Sequence, residues 1–229
     1  MSAFVLKVIA CISMFTDHIG YVIFNKSSYF NYIGRFAFPI FAFQISQGYI
    51  HTKNIKKYMK RLLIFAVISQ IPFILFRSSI VDGFAINTIF TLLFGLISIY
   101  SYDKISKVCG ISIGISLGIL AEICKFDYGF YGVFLVLLFY IFNNNKILLV
   151  STFSLVTIIK YSQMLLPYIS YGSDTILKAL KINFPLCFCT ILSSIFICFY
   201  NGKKGHDSKY LLYLFYPLHL LAIYILTLV

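Results

Sequence analysis

Apolar stretches follow one another along the chain at roughly 3–24, 36–50, 62–76, 87–101, 108–123, 130–142, 147–166, 184–200 and 210–227, separated by short polar turns. A bilayer core takes a helix of about 20 apolar residues. Several of these stretches fall short of that, so their ends must run on into the flanking turns. Composition agrees: 60% of the residues are hydrophobic and 11% are charged, where a soluble domain carries about 25%. The pattern predicts an all-α polytopic membrane protein, a single bundle of about nine transmembrane helices (eight to ten), with residues 1–229 forming one domain.

The net charge of +12 raises the question of nucleic acid. The basic residues lie between apolar spans rather than on a soluble domain, which is where the positive-inside bias puts them. With the N-terminus in the cytoplasm, the inner segments hold Lys7, Lys53, Lys56, Lys57, Lys60, Arg61, Lys104, Lys107, Lys146, Lys203, Lys204 and Lys209. The outer segments hold Lys26, Arg35, Arg77, Lys125, Lys178 and Lys181, and Lys160 falls inside a span. The expectation is a multi-pass protein of the cytoplasmic membrane, surrounded by lipid, with no nucleic-acid partner. The six cysteines form no C-x-x-C pair and read as packing residues. No H-E-x-x-H spacing or Gly-rich phosphate loop is present, so no metal is expected.

Asp17 and His18 stand side by side in the first span. Ionisable groups at membrane depth are costly and usually functional. Helical neighbours diverge by about 100°, so the carboxylate does not orient the imidazole, and each needs a partner from another helix. Arg35, one short hairpin away, is the candidate for Asp17, as a structural ion pair or as part of a site. An imidazole ordinarily titrates near neutral pH, and His18 is the residue type suited to removing a proton from a nucleophile. Asn87 opens the fourth span and His219 follows Pro217 in the last, so four polar helices can converge in the outer half. Gln44, Gln47 and His51 fall on one helical face, as do Asn87, Thr91 and Ser98. These stripes either line a path or bond helices together, and Pro39 and Pro72 are placed to kink their helices. The loop "HTKNIKKYMKR" (51–61) reads as a topology anchor, a contact for anionic lipid, or a holder of nucleotide-cofactor phosphates.

The segments "DHIG" (17–20), "IGRFAFPIFAFQISQGYIHTKN" (33–54) and "YMKRLLIFAVISQIPF" (58–73) closely resemble the TraX family of bacterial membrane proteins. Similar patterns recur in "INTIFTLLFG" (86–95), "DYGFYGVFLVLLFY" (127–140) and "KYLLYLFYPLHLL" (209–221), and are weaker over 141–182 and 184–200. The resemblance implies a conjugation-related acetylation of pilin N-termini, and kinship with polytopic acyltransferases that use cytoplasmic acetyl-CoA. It marks Asp17, His18, Arg35, His51, Asn87 and His219 as positions matching the family's polar pattern. The expected protein is an acetyl-CoA-dependent membrane acyltransferase acting on an acceptor protein or envelope molecule through an amine or hydroxyl. Catalysis is expected from His18 as base, with Asp17, Arg35 and an oxyanion-donating Asn87. The acetyl-CoA phosphates are expected at Lys53, Lys56, Lys57 and Arg61 with His51, and its arm along Gln47 and Gln44. Two alternatives are a non-catalytic factor for pilus or conjugation assembly and a small proton-coupled transporter.

Overall fold

The computed structural model describes residues 1–24, 28–81, 83–171, 173–206 and 209–228, with side chains at all of these except 28, 171 and 209–212. Lys26 and the side chain of Lys209 therefore lie outside the described residues. The helices are α1 (Ala3–Val22), α2 (Ser28–Gly34), α3 (Ala37–His51), α4 (Ile55–Ser78), α5 (Thr88–Lys104), α6 (Lys107–Ile123), α7 (Gly129–Ile141), α8 (Lys146–Gln163), α9 (Ser173–Cys198) and α10 (Lys209–Leu226). A 3-10 turn, Leu166–Tyr171, separates α8 from α9. Nine of these helices answer the nine apolar stretches one for one. The short α2, folded from the aromatic segment between the first two spans, was not legible as a helix.

Polar caps decide where several helices start. Ser2, Asn54, Asn87, Ser106 and Asn145 each accept a backbone N–H with the side chain, which satisfies an otherwise orphaned donor. The Asn54 cap starts α4 well before its apolar part. Residues 51–61 are thus not a loop, as the sequence suggested: Lys56, Lys57, Lys60 and Arg61 ride on the first two turns of α4. Pro72 lies inside α4, whereas Pro39 occupies the first turn of α3. There its missing N–H breaks no hydrogen bond, so Pro39 is no kink.

The helices alternate in direction. At one end, the N–H of Ala3 donates to Lys203 O (2.8 Å), Lys146 Nζ to Cys198 O (2.9 Å), and the phenols of Tyr49 and Tyr140 to Asp103 (2.7 and 3.0 Å). This end gathers Lys53, Lys56, Lys57, Lys104, Lys107, Lys146 and Lys203, and is the basic end. At the opposite end the α4–α5 and α6–α7 connections pair backbone to backbone, Asp127 N–H donating to Ile86 O at 2.8 Å.

Among the described residues, four segments are long and apolar enough to cross a bilayer: Ala3–Val22, Ile55–Ser78, Lys146–Ser170 and Ser173–Cys198. The shorter α3 and α7 form the buried centre, with Phe38, Ile40, Phe43, Val133, Leu135 and Phe139 almost fully enclosed. Protein rather than lipid surrounds them, so they need not match the membrane's thickness. Outward faces such as Leu63, Ile64, Val67, Ile68 and Ile71 on α4 stay exposed and apolar, as lipid requires.

On α6 the inner face is Gly110, Gly114 and Gly118. A Cβ on Gly110 would sit 2.3 Å from the Tyr102 Cα, which is backbone of α5 and cannot step aside. Gly110→Val is therefore expected to part α5 from α6 and cost about 1–3 kcal/mol or more. Thermal unfolding in detergent checks this; an unchanged midpoint would contradict the packing.

Candidate functional site

The C-terminal half of α1 presents its two ionisable neighbours to different partners. Asp17 faces the α2–α3 junction, where Arg35 Nη2 donates to its Oδ1 at 3.4 Å. Arg35 Nε donates to the Asn31 carbonyl at 3.3 Å. Both side chains are largely enclosed, 14% and 21% exposed. A Cβ on Gly34 would lie 2.3 Å from the Asp17 carboxyl carbon, so only glycine lets the carboxylate press against this turn. The expected pairing of Asp17 with Arg35 is present.

His18 turns the other way, toward α4 and α10. Its Nδ1 lies 2.9 Å from His219 Nε2, and the two rings are parallel within 2°. The ring also rests 4.6 Å, centroid to centroid, from Phe76. His219, buried to 4% exposure, lies 2.7 Å through Nδ1 from the Phe215 carbonyl. That carbonyl can only accept, so His219 Nδ1 carries the hydrogen. For two neutral rings, His219 Nε2 then accepts from His18 Nδ1–H, and the lone pair of His18 is left on Nε2. A half-buried imidazole with one nitrogen anchored and the other bare is the arrangement a general base needs. The partner that sets the His18 ring is thus the second imidazole; Arg35 engages Asp17 on another face of α1.

Asn87 does not stand as a free donor. Its Nδ2 donates to Ala66 O (2.7 Å) and Gln70 Oε1 (2.8 Å), and its Oδ1 caps α5 by accepting from Ile89 N–H (3.0 Å). Both amide hydrogens are engaged, so the residue clasps α4 to α5 and has none left for an oxyanion. Gln70, which the sequence analysis passed over, completes this clasp by donating to Ala85 O at 2.9 Å. Gln70→Leu leaves buried Asn87 short of partners and is expected to cost about 1–3 kcal/mol, measurable as a lower unfolding midpoint without loss of helix content.

Most of the two polar stripes is taken up in bonds that tie segments together, while Ser98 bonds within its own helix and His51 stays exposed. Gln44 Nε2 donates to Ala3 O at 2.8 Å and Gln47 Nε2 to Asn143 Oδ1, and both glutamines are buried. Thr91 donates to the Asp127 carbonyl and Ser98 to Phe94 O. Asp127, also unremarked in the sequence, accepts from the Thr88 hydroxyl through Oδ2. At the basic end His51, Lys53, Lys56, Lys57 and Lys60 are exposed, while Arg61 is half-buried with its guanidinium 5.7 Å from the Tyr58 ring. Among the described residues no cluster of three or more His, Cys, Asp or Glu is placed to hold a metal.

The sequence matches the TraX protein family over residues 2–227. The chain belongs to the TraX family. A relative is the probable fimbrial assembly protein FimC, serogroup H1, of Dichelobacter nodosus, 28% identical over 236 residues that cover 96% of this chain and 93% of that protein. No solved structure matches significantly.

Proposed function

We propose that this TraX family chain is a membrane-embedded acyltransferase in which His18 removes the proton from an amine or hydroxyl acceptor. The observation that carries the reading is the His18–His219 pair, which leaves Nε2 of His18 bare and its ring fixed. As the acceptor's nitrogen or oxygen bonds to the acyl carbon of the thioester, Nε2 takes its proton; the carbon–sulfur bond then breaks, coenzyme A leaves as the thiolate, and the proton held on His18 passes to it. While His18 holds the proton, its positive charge is shared through Nδ1–H with His219 Nε2 and lies against the face of Phe76, a cation–π contact. The Asp17–Arg35 pair holds α1 to α3 beside it.

Acetyl-CoA is the donor that the family resemblance implies, and when bound its thioester supplies an already activated acyl group. Exposed Lys53, Lys56 and Lys57 with His51 suit its phosphates, and the N-terminus of α4 adds its own partial positive charge there. The route along Gln47 and Gln44 does not fit its arm. The 16-residue rise from Arg35 to His51 is about 24 Å, and both amides on the way are closed into bonds with α1 and Asn143. We therefore assign the patch to the first capture of the acetyl-CoA phosphates and no residue of that stripe to the transfer. Positive-inside bias favours a cytoplasmic side for the basic end and the N-terminus. The fimbrial relative favours a pilin or other surface-protein N-terminus as acceptor.

The same relative supports a second reading, a non-catalytic factor in pilus assembly. The two separate in membranes given labelled acetyl-CoA. Label should pass to an acceptor only where the chain is present; equal incorporation without it removes the acyltransferase. Lys56→Ala should raise the KM for acetyl-CoA while sparing kcat, and a fall in kcat alone would count against the phosphate patch.

A further inference from the structure

Across α3 from His18, a cavity of about 60 Å³ is lined by Arg35, Phe38 and Pro39, by Tyr128 and Tyr131 of α7, by Lys160, Tyr161 and Met164 of α8, and by Thr190 of α9. Its floor is enclosed: Phe38, Tyr131 and Thr190 are 2%, 7% and 5% exposed. Its mouth, at Lys160, Tyr161 and Met164, is half-exposed to exposed. The wall is polar where it needs to be. Tyr131 Oη and Thr157 Oγ1 are 3.0 Å apart, and Tyr161 Oη and Thr190 Oγ1 also 3.0 Å.

The charge does not balance. Arg35 meets one carboxylate, Asp17, through one nitrogen at 3.4 Å. Asp127 accepts from the Thr88 hydroxyl rather than from Arg35. Among the described residues no carboxylate lies within ion-pair distance of Lys160. Among the described residues, two cations, Arg35 and Lys160, thus line the cavity, and Asp17, which Arg35 meets, is the one carboxylate paired with either. A cation at membrane depth without a counter-ion is costly. The bland account of Lys160 is that it complements the C-terminal dipole of α8, but this does not explain why it shares a cavity with a second cation.

We propose that this cavity binds an oxyanion, a carboxylate or phosphate group, between Arg35 and Lys160. The volume of about 60 Å³ leaves room for one such group. Any attached chain would leave past Met164. The inference is independent of acyl transfer at His18, which lies on the α4–α10 side.

Thermal unfolding of the full chain in detergent tests it, with decanoate, decyl phosphate and decanol as probes. Binding to the folded state raises the midpoint with ligand concentration. Decanoate or decyl phosphate should raise it and decanol should not. Lys160→Gln should weaken the effect about tenfold or more, and Lys160→Arg should keep it. Met164→Glu, at an exposed position, should abolish it by repulsion and serves if Lys160→Gln does not fold. Competition by acetate or inorganic phosphate would assign a free anion; binding only with the tail attached would assign a membrane-borne one. An equal shift with decanol, or an undiminished shift in both Lys160→Gln and Met164→Glu, overturns the proposal.

Discussion

His18→Ala is expected to lower acyl transfer by a factor of about 10²–10⁴, the usual contribution of a positioned general base, while the bundle stays folded. The ring contributes one interhelical contact, to His219, and packs on Phe76. Its loss strands no charge but leaves buried His219 Nε2 without a partner, so helix content should change little and the unfolding midpoint should fall modestly. His219→Ala frees the His18 ring without removing it. Transfer should then fall by less, and a His219→Asn variant that can still accept from Nδ1–H should recover part of the rate. Labelled transfer in membranes reads all three. Undiminished transfer in His18→Ala would take this residue out of the mechanism and favour the assembly-factor reading.

The largest stability effect is expected from Arg35→Met. It leaves the Asp17 carboxylate enclosed beside Gly34 with no ion-pair partner among the described residues. Stranding one member of a buried pair costs about 3–5 kcal/mol. The double variant Asp17→Asn/Arg35→Met removes both charges and should regain most of that loss. Denaturant unfolding in detergent measures the cycle. A double variant as unstable as the single would mean that Arg35 acts through packing or the adjacent cavity rather than through Asp17.

The sequence made the helices legible and the polar contacts only in part. Nine apolar stretches became nine helices because a backbone within a bilayer must satisfy its own hydrogen bonds. The Asp17–Arg35 pair was legible because the short connection keeps the two residues close whatever its conformation. His18 was recognisable as unusual, yet its partner lies 201 residues away on α10, and no spacing rule reaches that far. The stripe of Gln44 and Gln47 looked the same as a path or as bonds between helices. Choosing required the positions of Ala3 and Asn143, which are facts of packing. Asn87 misled for a similar reason: an Asn at a helix start is first of all a cap. The basic segment at 51–61 was correctly read as charged, but its helical form turned on a single side chain, Asn54, capping α4.

The central claim is that the ring pair leaves a bare nitrogen on His18, and nitrogen chemical shifts of isotope-labelled histidine in the folded protein test it most directly. Assigned against His18→Ala and His219→Ala, the His18 signals at neutral pH should show a hydrogen on Nδ1 and a lone pair on Nε2. A His18 ring carrying its hydrogen on Nε2, with Nδ1 bare, would reverse the donor order and leave no base facing the acceptor.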